Sequence, residues 1–370
     1  MTPDEVLRIA SMHAVRGEYE TALSLLRQLH AFIPDDIQVM RALGIVLANS
    51  GDHEAALPFL HQVAQRQCTP DNVMGLIKVL GAMRRFPDID HVCSVVWPHI
   101  GDELAFLGEW GYANLLMERF DRALEILGKA LALDPHFRPA LHNGASALVR
   151  SGRGEEAVSM YSRLGRAWAS TEAVARDFVG EYAALSQSYD DNPLHHYFSA
   201  RLVRLVQDAR PEAMPDSVLE LGCGSGLLSQ ALPQKPDRLV GIDISPDMLA
   251  RARTRGAYSS LLCGDLVEVM AGLEEPFDAV MSAGVLCYLP DLRKVFANVA
   301  RLLSPGGVFA FSVDPVGDDM EIAEMEPGEF AHSRPYLRAL AAETGLTEIR
   351  IDIDLHRGAP GFWCSFGKAG

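Results

Sequence analysis

The sequence VLELGCGSG, residues 218–226, decides the fold of the second half of the chain. Apolar residues lead into glycines at alternate positions, and Glu220 stands two places before the first glycine, Gly222. This pattern is typical of a buried strand that ends in a tight turn, where a ligand can lie close to the backbone. A second apolar run, residues 238–245, contains Asp243. A carboxylate at that point can accept both hydroxyls of a ribose.

A glycine-rich turn by itself is weak evidence, because folds that bind nicotinamide or flavin cofactors use one too. The spacing is more specific, since the dinucleotide pattern Gly-x-Gly-x-x-Gly needs a glycine where Leu227 stands. Residues 220–226 instead resemble the first motif of class I S-adenosylmethionine-dependent methyltransferases, acid-x-Gly-x-Gly-x-Gly. The resemblance covers residues 178–370 and continues in the family's order through residues 263–266, 277–280 and 303–307. A nicotinamide-dependent dehydrogenase is the disfavoured alternative.

The resemblance implies that S-adenosylmethionine is the cofactor and that it binds outside the carboxyl ends of the strands. In the family's pattern the glycines admit the methionine tail, Asp243 accepts the ribose hydroxyls, and Asp265 accepts the adenine amino group. Two alternatives stay open: Glu220 orients the loop instead of meeting the cofactor's amino group, and Asp265 caps a helix. The expected cofactor-binding residues are Glu220, Gly222, Gly224, Gly226, Asp243, Ile244, Asp265, Leu266 and Ala283.

Methyl transfer requires mainly alignment of the reacting atoms, because the cofactor's sulfonium is already a strong electrophile. A general base is needed only where the acceptor is a protonated amine, a hydroxyl or a carbon acid. The candidate catalytic residues near the strand ends are His332 and Asp314, with Tyr288 as a polar group of the pocket. For His332, a hydrogen bond to substrate or loop and a purely structural role are the alternatives.

Aromatic residues and two histidines precede the first strand of the sheet. In related methyltransferases this region forms a lid or a side wall of the substrate pocket. The expected substrate-binding residues are therefore Tyr182, Tyr189, His195 and His196. Adjacent histidines on a helix point about 100° apart, so a polar helix face is the alternative and a shared metal ion is not expected. The six cysteines form no Cys-x-x-Cys pair, which also argues against a metal site.

Residues 314–333 are rich in acids and contain no lysine or arginine. In the methyltransferase pattern they form a loop that overhangs the substrate. Such a loop would attract a cationic acceptor, such as an amine. A solvated acidic loop without that role is the favoured interpretation.

The first half of the chain is repetitive. Five turn sites are spaced by 34, 33, 34 and 34 residues: Gly17, Gly51, Arg84, Glu118 and Gly152. A period of 34 residues resembles tetratricopeptide repeats, each a pair of antiparallel helices. About five such repeats give a concave surface that would bind a protein or peptide. Stabilising the enzyme, or pairing two copies of it as a homodimer, is an alternative of equal weight.

The predicted architecture is multidomain. An all-α tetratricopeptide-repeat solenoid spans residues 1–165, connector and lid helices span 166–210, and a Rossmann-like class I methyltransferase sheet spans 211–370. Alternating strands and helices predict a mainly parallel sheet that closes with a C-terminal antiparallel hairpin. The predicted strands of the parallel part lie near 217–222, 238–243, 259–263, 277–283 and 307–313.

One further resemblance, and one departure from it, limit how far the substrate can be predicted. Residues 309–313, 331–333 and 336–337 resemble a bacterial subgroup of methyltransferases that carry tetratricopeptide repeats. That subgroup commonly has an acid where Gly284 stands here, so carrying over a substrate is less safe. We therefore expect methyl transfer to an oxygen or nitrogen, less favourably a carbon, of a small molecule or peptide. The alternative is a non-catalytic repeat adaptor whose second domain only binds the cofactor.

The charge of the chain limits its partners. The formal net charge is −16, whereas proteins that bind nucleic acid usually carry a positive footprint. We therefore expect no nucleic-acid partner. No apolar run approaches the ~18 residues of a membrane span, and the start has acids where an export signal has bases, so we expect no membrane association and a cytoplasmic location.

Overall fold

A computed structural model of the 370-residue chain describes residues 1–101, 103–168 and 177–370. By their contacts these residues divide into two compact units, Met1–Ala147 and Leu148–Gly370. In the connector and lid region that the sequence predicts over residues 166–210, residues 169–176 lie outside the described residues, and Arg166–Ala167 at its start form a short strand rather than part of a helix. Among the helices of the described ranges, none combines the length and apolar character needed to cross a bilayer.

The first unit is built from helices joined by short turns. Consecutive helices pack as pairs, for example α1 on α2, α3 on α4 and α7 on α8, as the tetratricopeptide pattern predicts. The helices are α1 (Pro3–Val15), α2 (Tyr19–Phe32), α3 (Ile37–Asn49), α4 (His53–Arg66), α5 (Pro70–Ala82), α6 (Phe86–Ile100), α7 (Leu104–Leu116), α8 (Phe120–Leu133) and α9 (Arg138–Arg150), which crosses the division.

The repeat is preserved in the backbone even where the turn glycine is lost. Gly17 and Gly51 have φ angles of 77° and 89°, and the equivalent Arg84 and Glu118 also adopt positive values of 56° and 59°. A side chain in this left-handed region costs roughly 1–2 kcal/mol. The packing of the flanking helices therefore imposes the turn, and the third repeat, which has Arg84 in place of the turn glycine, keeps the geometry of its neighbours.

Small residues let the paired helices approach each other. A Cβ atom at Gly44 would lie 2.7 Å from Leu60, and one at Gly111 would overlap Leu127. Both glycines are at the helix crossing of their repeat, so a larger residue would push the pair apart. The N-termini of α3 and α4 are capped by Asp36 and Asp52, whose side chains accept from backbone N–H groups.

The second unit combines a sheet with helices. Its helices are α10 (Gly154–Ser162), α11 (Phe178–Leu185), α12 (Pro193–Ala209), α13 (Leu228–Ala231), α14 (Pro246–Thr254), α15 (Leu266–Ala271), α16 (Arg293–Leu302) and α17 (Arg334–Thr344). Its strands are β1 (Arg166–Ala167), β2 (Ser217–Leu221), β3 (Arg238–Asp243), β4 (Ser260–Cys263), β5 (Phe277–Ser282), β6 (Leu303–Pro315), β7 (Ile322–Glu326), β8 (Glu329–His332), β9 (Leu346–His356) and β10 (Ala359–Lys368). Single 3₁₀ turns cover Tyr189–Asp191 and Leu286–Tyr288.

Helix α10 belongs to the second unit because it packs against the sheet. Val158 joins the core on one sheet face, and Gly154 lies against Ile353 of β9. The division by contacts therefore falls within the fifth predicted repeat, before the boundary that the sequence predicts at residue 165.

The main sheet has the order β4-β3-β2-β5-β6-β10-β9. Strands β2 to β6 run parallel, and the last two, β10 and β9, form the predicted antiparallel hairpin. Alternate side chains fill two cores, with Leu219 and Leu221 on one face and Val218 on the other. Strand β2 is central, so its carboxyl end opens between β3 and β5, where the chain reverses its direction of travel across the sheet.

Within the acidic segment 314–333, where the sequence predicts a solvated loop, the structure has a hairpin of β7 and β8, although Asp318, Asp319, Glu321 and Glu326 are exposed as predicted. Strands β7 and β8 pair with each other, and Asp314 and Pro315 of β6 pair with β8. Ala323 and Met325 are buried while the glutamates between and beside them face outward, which is the alternation of a half-buried strand. Glu329 is held in an ion pair with Arg357.

Candidate active site at the strand ends

A cleft opens outside the carboxyl ends of β2, β3, β4 and β5. It collects residues from the glycine-rich loop, the strand ends and the helices that precede the sheet. Its lining consists of Phe178, Tyr182, Tyr189, Gly222, Gly224, Ile242, Asp243, Ile244, Gly264, Asp265, Leu266, Ala283, Gly284, Val285, Tyr288 and Leu289. Most of the residues predicted for the cofactor and the substrate are therefore brought together.

The glycine-rich loop is fixed by hydrogen bonds from its backbone. The N–H groups of Gly222 and Cys223 both donate to the Ile242 carbonyl, at 2.8 and 2.9 Å. Gly222 has a φ of 68°, and a Cβ atom there would overlap Val285. Only glycine satisfies both conditions, so the loop can follow the cleft wall closely.

Asp243 stands at the end of β3 and faces the cleft. Its Oδ2 accepts from the Gly224 N–H at 2.7 Å and its Oδ1 from the Ser245 N–H at 2.9 Å. Burial raises the pKa of this carboxyl, against the lowering effect of the backbone N–H groups of Ser245, Gly224 and Ile244. A carboxylate oxygen has two lone pairs, so each oxygen keeps an acceptor site for a ligand.

Asp265 serves as a helix cap and also lines the cleft. Its Oδ1 accepts from the N–H groups of Val267 and Glu268 at 2.9 and 3.1 Å, which caps α15. These contacts leave Oδ2 without a protein donor among the described residues, so the capping role and the predicted ligand role are compatible. Ile244 is 40% exposed beside it, an apolar surface suited to a flat ring.

Two predicted cofactor residues lie behind the cleft wall. Glu220 is 7% exposed, and Tyr258 donates to its Oε2 at 2.5 Å. Burial raises the pKa of Glu220 to about 8, opposed by the Tyr258 hydrogen bond and reinforced by Asp243. A Cβ atom at Gly226 would come within 3.2 Å of Ala252, so this glycine admits α14 close to the loop.

An aromatic wall faces the glycine-rich loop. The hydroxyls of Tyr182 and Tyr288 are 3.1 Å apart, and the rings of Phe178 and Tyr288 are 4.8 Å apart. The ring of Tyr189 lies 3.8 Å from the place where Gly224 would carry a Cβ atom. Burial raises the pKa of all three tyrosines, so they remain neutral hydroxyls. Phe178 was missed by the sequence analysis, although it belongs to the aromatic-rich stretch that supplied the tyrosines.

The two adjacent histidines support this wall from outside the cleft. His195 stacks on Tyr189 with ring centroids 3.8 Å apart, and its Nδ1 donates to the Tyr189 carbonyl. His196 uses Nε2 to donate to the Asp190 carbonyl at 2.8 Å. Neither lines the cleft. In the described part of the chain, no cluster of three or more histidines, cysteines and acids could hold a metal ion.

His332 and Asp314 also lie outside the cleft. His332 is fully buried, and its Nε2 donates to the Pro290 carbonyl at 3.2 Å. Burial lowers the pKa of His332 to about 4, against the opposing effect of carbonyl hydrogen bonds. Its other nitrogen is buried without a partner in the described residues. Because β8 turns this ring into the protein interior, it does not reach a substrate in the cleft.

Asp314 anchors a buried network that sequence reasoning missed. It accepts from His356 at 2.7 Å and from Arg357 at 3.1 Å. His356 Nε2 in turn accepts from the Ser312 hydroxyl, which accepts from the Gly284 N–H. The network thus supports the cleft wall at Gly284 from behind. No sequence signal indicates it, since β6 and the distant hairpin supply its members.

Comparisons with known proteins agree with this geometry. A methyltransferase-domain family matches residues 219–311, and tetratricopeptide-repeat families match 37–62 and 114–176. The ubiquinone biosynthesis O-methyltransferase of Xanthomonas campestris pv. campestris (strain B100) is 31% identical over 195 residues, covering 47% of this chain and 80% of that protein. The malonyl-(acyl-carrier protein) O-methyltransferase of Hamiltonella defensa subsp. Acyrthosiphon pisum (strain 5AT) is 34% identical over 107 residues, covering 29% of this chain and 41% of that protein.

One solved structure with a related sequence is the N-methyltransferase NodS from Bradyrhizobium japonicum WM9. It is 25% identical, and the match covers 49% of this chain and 99% of that chain with a TM-score of 0.40. The family assignment depends on the sequence relatives, one of which is more than 30% identical over four-fifths of its length. This chain therefore belongs to the S-adenosylmethionine-dependent methyltransferases and carries tetratricopeptide repeats ahead of its methyltransferase domain.

Proposed function

We propose that the cleft binds S-adenosylmethionine and directs its methyl group to an oxygen or nitrogen of a small molecule or peptide. The observation that carries this proposal is the Asp243 carboxylate, which the Gly224 and Ser245 N–H groups hold at the cleft with acceptor sites to spare. A ribose diol presents two donors that match these sites. The residues present therefore fit the cofactor.

The rest of the cleft supports the same orientation of the cofactor. Asp265 offers Oδ2 to the adenine amino group, and Ile244 and Leu266 offer apolar surface to the ring. Gly222 and Gly224 leave room for the amino-acid tail. Glu220, with its raised pKa, supports the loop from behind and acts on the tail through the loop rather than by direct contact.

When bound, S-adenosylmethionine supplies an electrophilic methyl carbon whose bond to sulfur breaks as the acceptor atom bonds to it. The protein's part is to align the acceptor and exclude water. We assign that part to the aromatic wall, with Tyr182, Tyr189 and Tyr288 orienting the acceptor. His332 and Asp314 are too deeply buried to meet the acceptor as bases, and we assign them to the support of the wall.

Calorimetric titration of the purified chain with S-adenosylmethionine and S-adenosylhomocysteine tests the cofactor site. We expect micromolar binding by the wild-type chain and a loss of at least about 100-fold in Asp243→Ala, since hydrogen bonds to a charged group contribute about 1.5–3 kcal/mol each. Asp247→Ala is the matched control, because this neighbouring carboxylate is exposed and does not line the cleft. Absence of binding by the folded wild-type chain would overturn the proposal, and unchanged binding by Asp243→Ala would overturn its ribose contact.

We further propose that the repeat unit binds a protein or peptide partner, or a second copy of the chain. Two grooves support this, one between α1 and α3 and one between α5 and α7. Ile45, Tyr112 and Leu116 expose apolar side chains in these grooves. The alternative, a repeat adaptor that binds the cofactor without catalysis, predicts cofactor binding without methyl transfer to any acceptor captured by the repeats.

A further inference from the structure

The helices before the sheet supply one wall of the cleft through a segment that we call the lid, residues 177–192. It contains α11 and the 3₁₀ turn Tyr189–Asp191. Phe178, Tyr182 and Tyr189 of the lid line the cleft, and the Tyr189 ring covers Gly224 of the glycine-rich loop. The position of the lid therefore determines the shape of the cleft beside the loop.

Asp190 joins the lid to two other segments. Its Oδ2 accepts from Nη2 of Arg251 in α14 and of Arg255 directly after that helix, each at 2.7 Å. Its Oδ1 accepts from the hydroxyl of Ser225, inside the glycine-rich loop, at 2.5 Å. One carboxylate thus binds two guanidinium groups, one in α14 and one at its C-terminal end, and a hydroxyl of the glycine-rich loop.

The same arginines make a second set of contacts. Arg255 Nε donates to the Ser225 carbonyl at 2.5 Å, and Arg251 donates to the Ser186 carbonyl at the end of α11. Lid, loop and α14 are therefore connected to one another by more than one bond. If the loop moves at Ser225, Asp190 and Arg255 must move with it or lose their hydrogen bonds to it.

The cluster is shielded enough for its charges to matter. The side chains of Asp190, Arg251 and Arg255 are 23%, 29% and 15% exposed. Burial raises the pKa of Asp190, but the Ser225 and Arg251 hydrogen bonds and the charges of both arginines outweigh it and leave the pKa lowered. The carboxylate is therefore ionised at neutral pH. Without it, the two guanidinium groups would repel each other with no counter-ion.

We propose that Asp190 is a positioning residue that couples closure of the lid to occupation of the glycine-rich loop by the cofactor. The inference rests on the proposed cofactor site. Binding that orders the loop favours the Ser225–Asp190 bond and hence the closed lid, and closure strengthens cofactor binding by the same factor. Asp190 touches neither cofactor nor acceptor and acts through Tyr189 and Ser225.

Hydrogen exchange of the backbone amides of residues 177–192, measured with and without S-adenosylhomocysteine, tests this coupling. In the wild-type chain we expect the ligand to slow exchange in the lid. In Asp190→Asn, which keeps the shape but loses the charge, we expect faster lid exchange, a much smaller effect of the ligand, and about tenfold weaker binding through faster release. Asp190→Glu should recover part of the loss, because it restores the charge.

Glu348→Gln is the matched control, since Glu348 binds Arg338 in a bidentate ion pair and does not line the cleft. It should leave lid exchange and ligand affinity unchanged. Lid exchange in Asp190→Asn equal to that of the wild-type chain would overturn the proposal, as would equal slowing of both by the ligand. Failure of the cofactor site would appear separately, as a wild-type chain that does not bind S-adenosylhomocysteine while Asp190→Asn still loosens the lid.

Discussion

The two walls of the cleft are held together by different kinds of interaction. At the strand ends, backbone groups bind backbone groups or a single carboxylate: Gly222 and Cys223 donate to Ile242, and Gly224 donates to Asp243. The lid depends on side chains, through the Tyr182–Tyr288 hydroxyl pair and the Asp190 cluster. The strand-end wall is part of the sheet, whereas the lid is a separate segment that packs over the ends of the strands through its side chains.

This difference teaches how the two walls should respond to change. Backbone hydrogen bonds of a parallel sheet cannot be removed singly without distorting the strands. We therefore expect the strand-end wall to be preformed and to tolerate few substitutions. Side-chain contacts can be removed one at a time, and each contributes about 0.5–1.5 kcal/mol. We therefore expect large, all-or-none effects at the strand ends and graded effects in the lid.

The largest effect is expected from Gly222→Ala. The new methyl group would overlap Val285, and the residue would keep a φ of 68° that side chains disfavour by roughly 1–2 kcal/mol. The loop can relieve the overlap only by leaving the Ile242 carbonyl. We expect binding of S-adenosylhomocysteine, measured by calorimetry, to weaken by more than about 100-fold, the equivalent of two lost charge-assisted hydrogen bonds.

Gly345→Ala separates the overlap from the backbone strain. Gly345 has a φ of 73° and no atom within 4 Å of the position of a Cβ, so this variant has the strain without the overlap. It should lose stability in urea unfolding but bind the ligand as the wild-type chain does. Equal ligand affinity for Gly222→Ala and Gly345→Ala would mean that the strand-end wall is not rigid.

The second prediction concerns Glu220, which lies beneath the same wall. Burial raises its pKa to about 8 from an ordinary value of 4.5, so the folded chain retains a proton that the unfolded chain has lost across that window. The contribution of Glu220 to the free energy of unfolding must therefore fall as the pH rises from 4.5 to 8, and this loss is complete above 8. Glu220→Gln cannot titrate and should lack this component.

Urea unfolding of both chains without ligand at pH 6 and pH 8.5 measures the difference. Between these values the wild-type chain should lose more stability than Glu220→Gln by an amount on the order of 1–3 kcal/mol. Comparing the two chains cancels the other groups that titrate in the same range. Parallel pH dependences would mean that Glu220 is ionised in the folded chain and that water or a cation reaches the underside of the loop.

The difference between the strand-end wall and the lid also explains which features the sequence could predict. The strand ends are local in sequence: an apolar run, alternate glycines, and an acid at the end of the next run already indicate Gly222 and Asp243. The mainly parallel sheet and the closing antiparallel hairpin followed from the same alternation and are confirmed. The sequence could show that an acid precedes Gly222, but not that Tyr258 and burial would keep Glu220 behind the wall.

The sequence predicted a lid or side wall that includes Tyr182 and Tyr189. The contacts that hold this lid in place could not be predicted, because they join distant residues. Asp190 meets Arg251 and Arg255 more than 60 positions away, and Asp314 meets His356 42 positions away. Each residue is unremarkable in its own segment. His332 was chosen as a candidate base for its place after the last parallel strand, and only the β7–β8 hairpin determines that its ring points inward.

The smallest effect is expected from Tyr182→Phe, which removes one hydroxyl from the lid and keeps its ring on the cleft wall. The 3.1 Å bond to Tyr288 is lost, so the free energy of unfolding should fall by about 0.5–1.5 kcal/mol in urea. Affinity for S-adenosylhomocysteine should change by less than about threefold, because the loop and Asp243 are untouched. Tyr112→Phe, at an exposed tyrosine of the repeat unit, is the control and should change neither quantity. A tenfold loss of affinity in Tyr182→Phe alone would assign the hydroxyl pair to the cofactor site, and the lid would then be as intolerant as the strand ends.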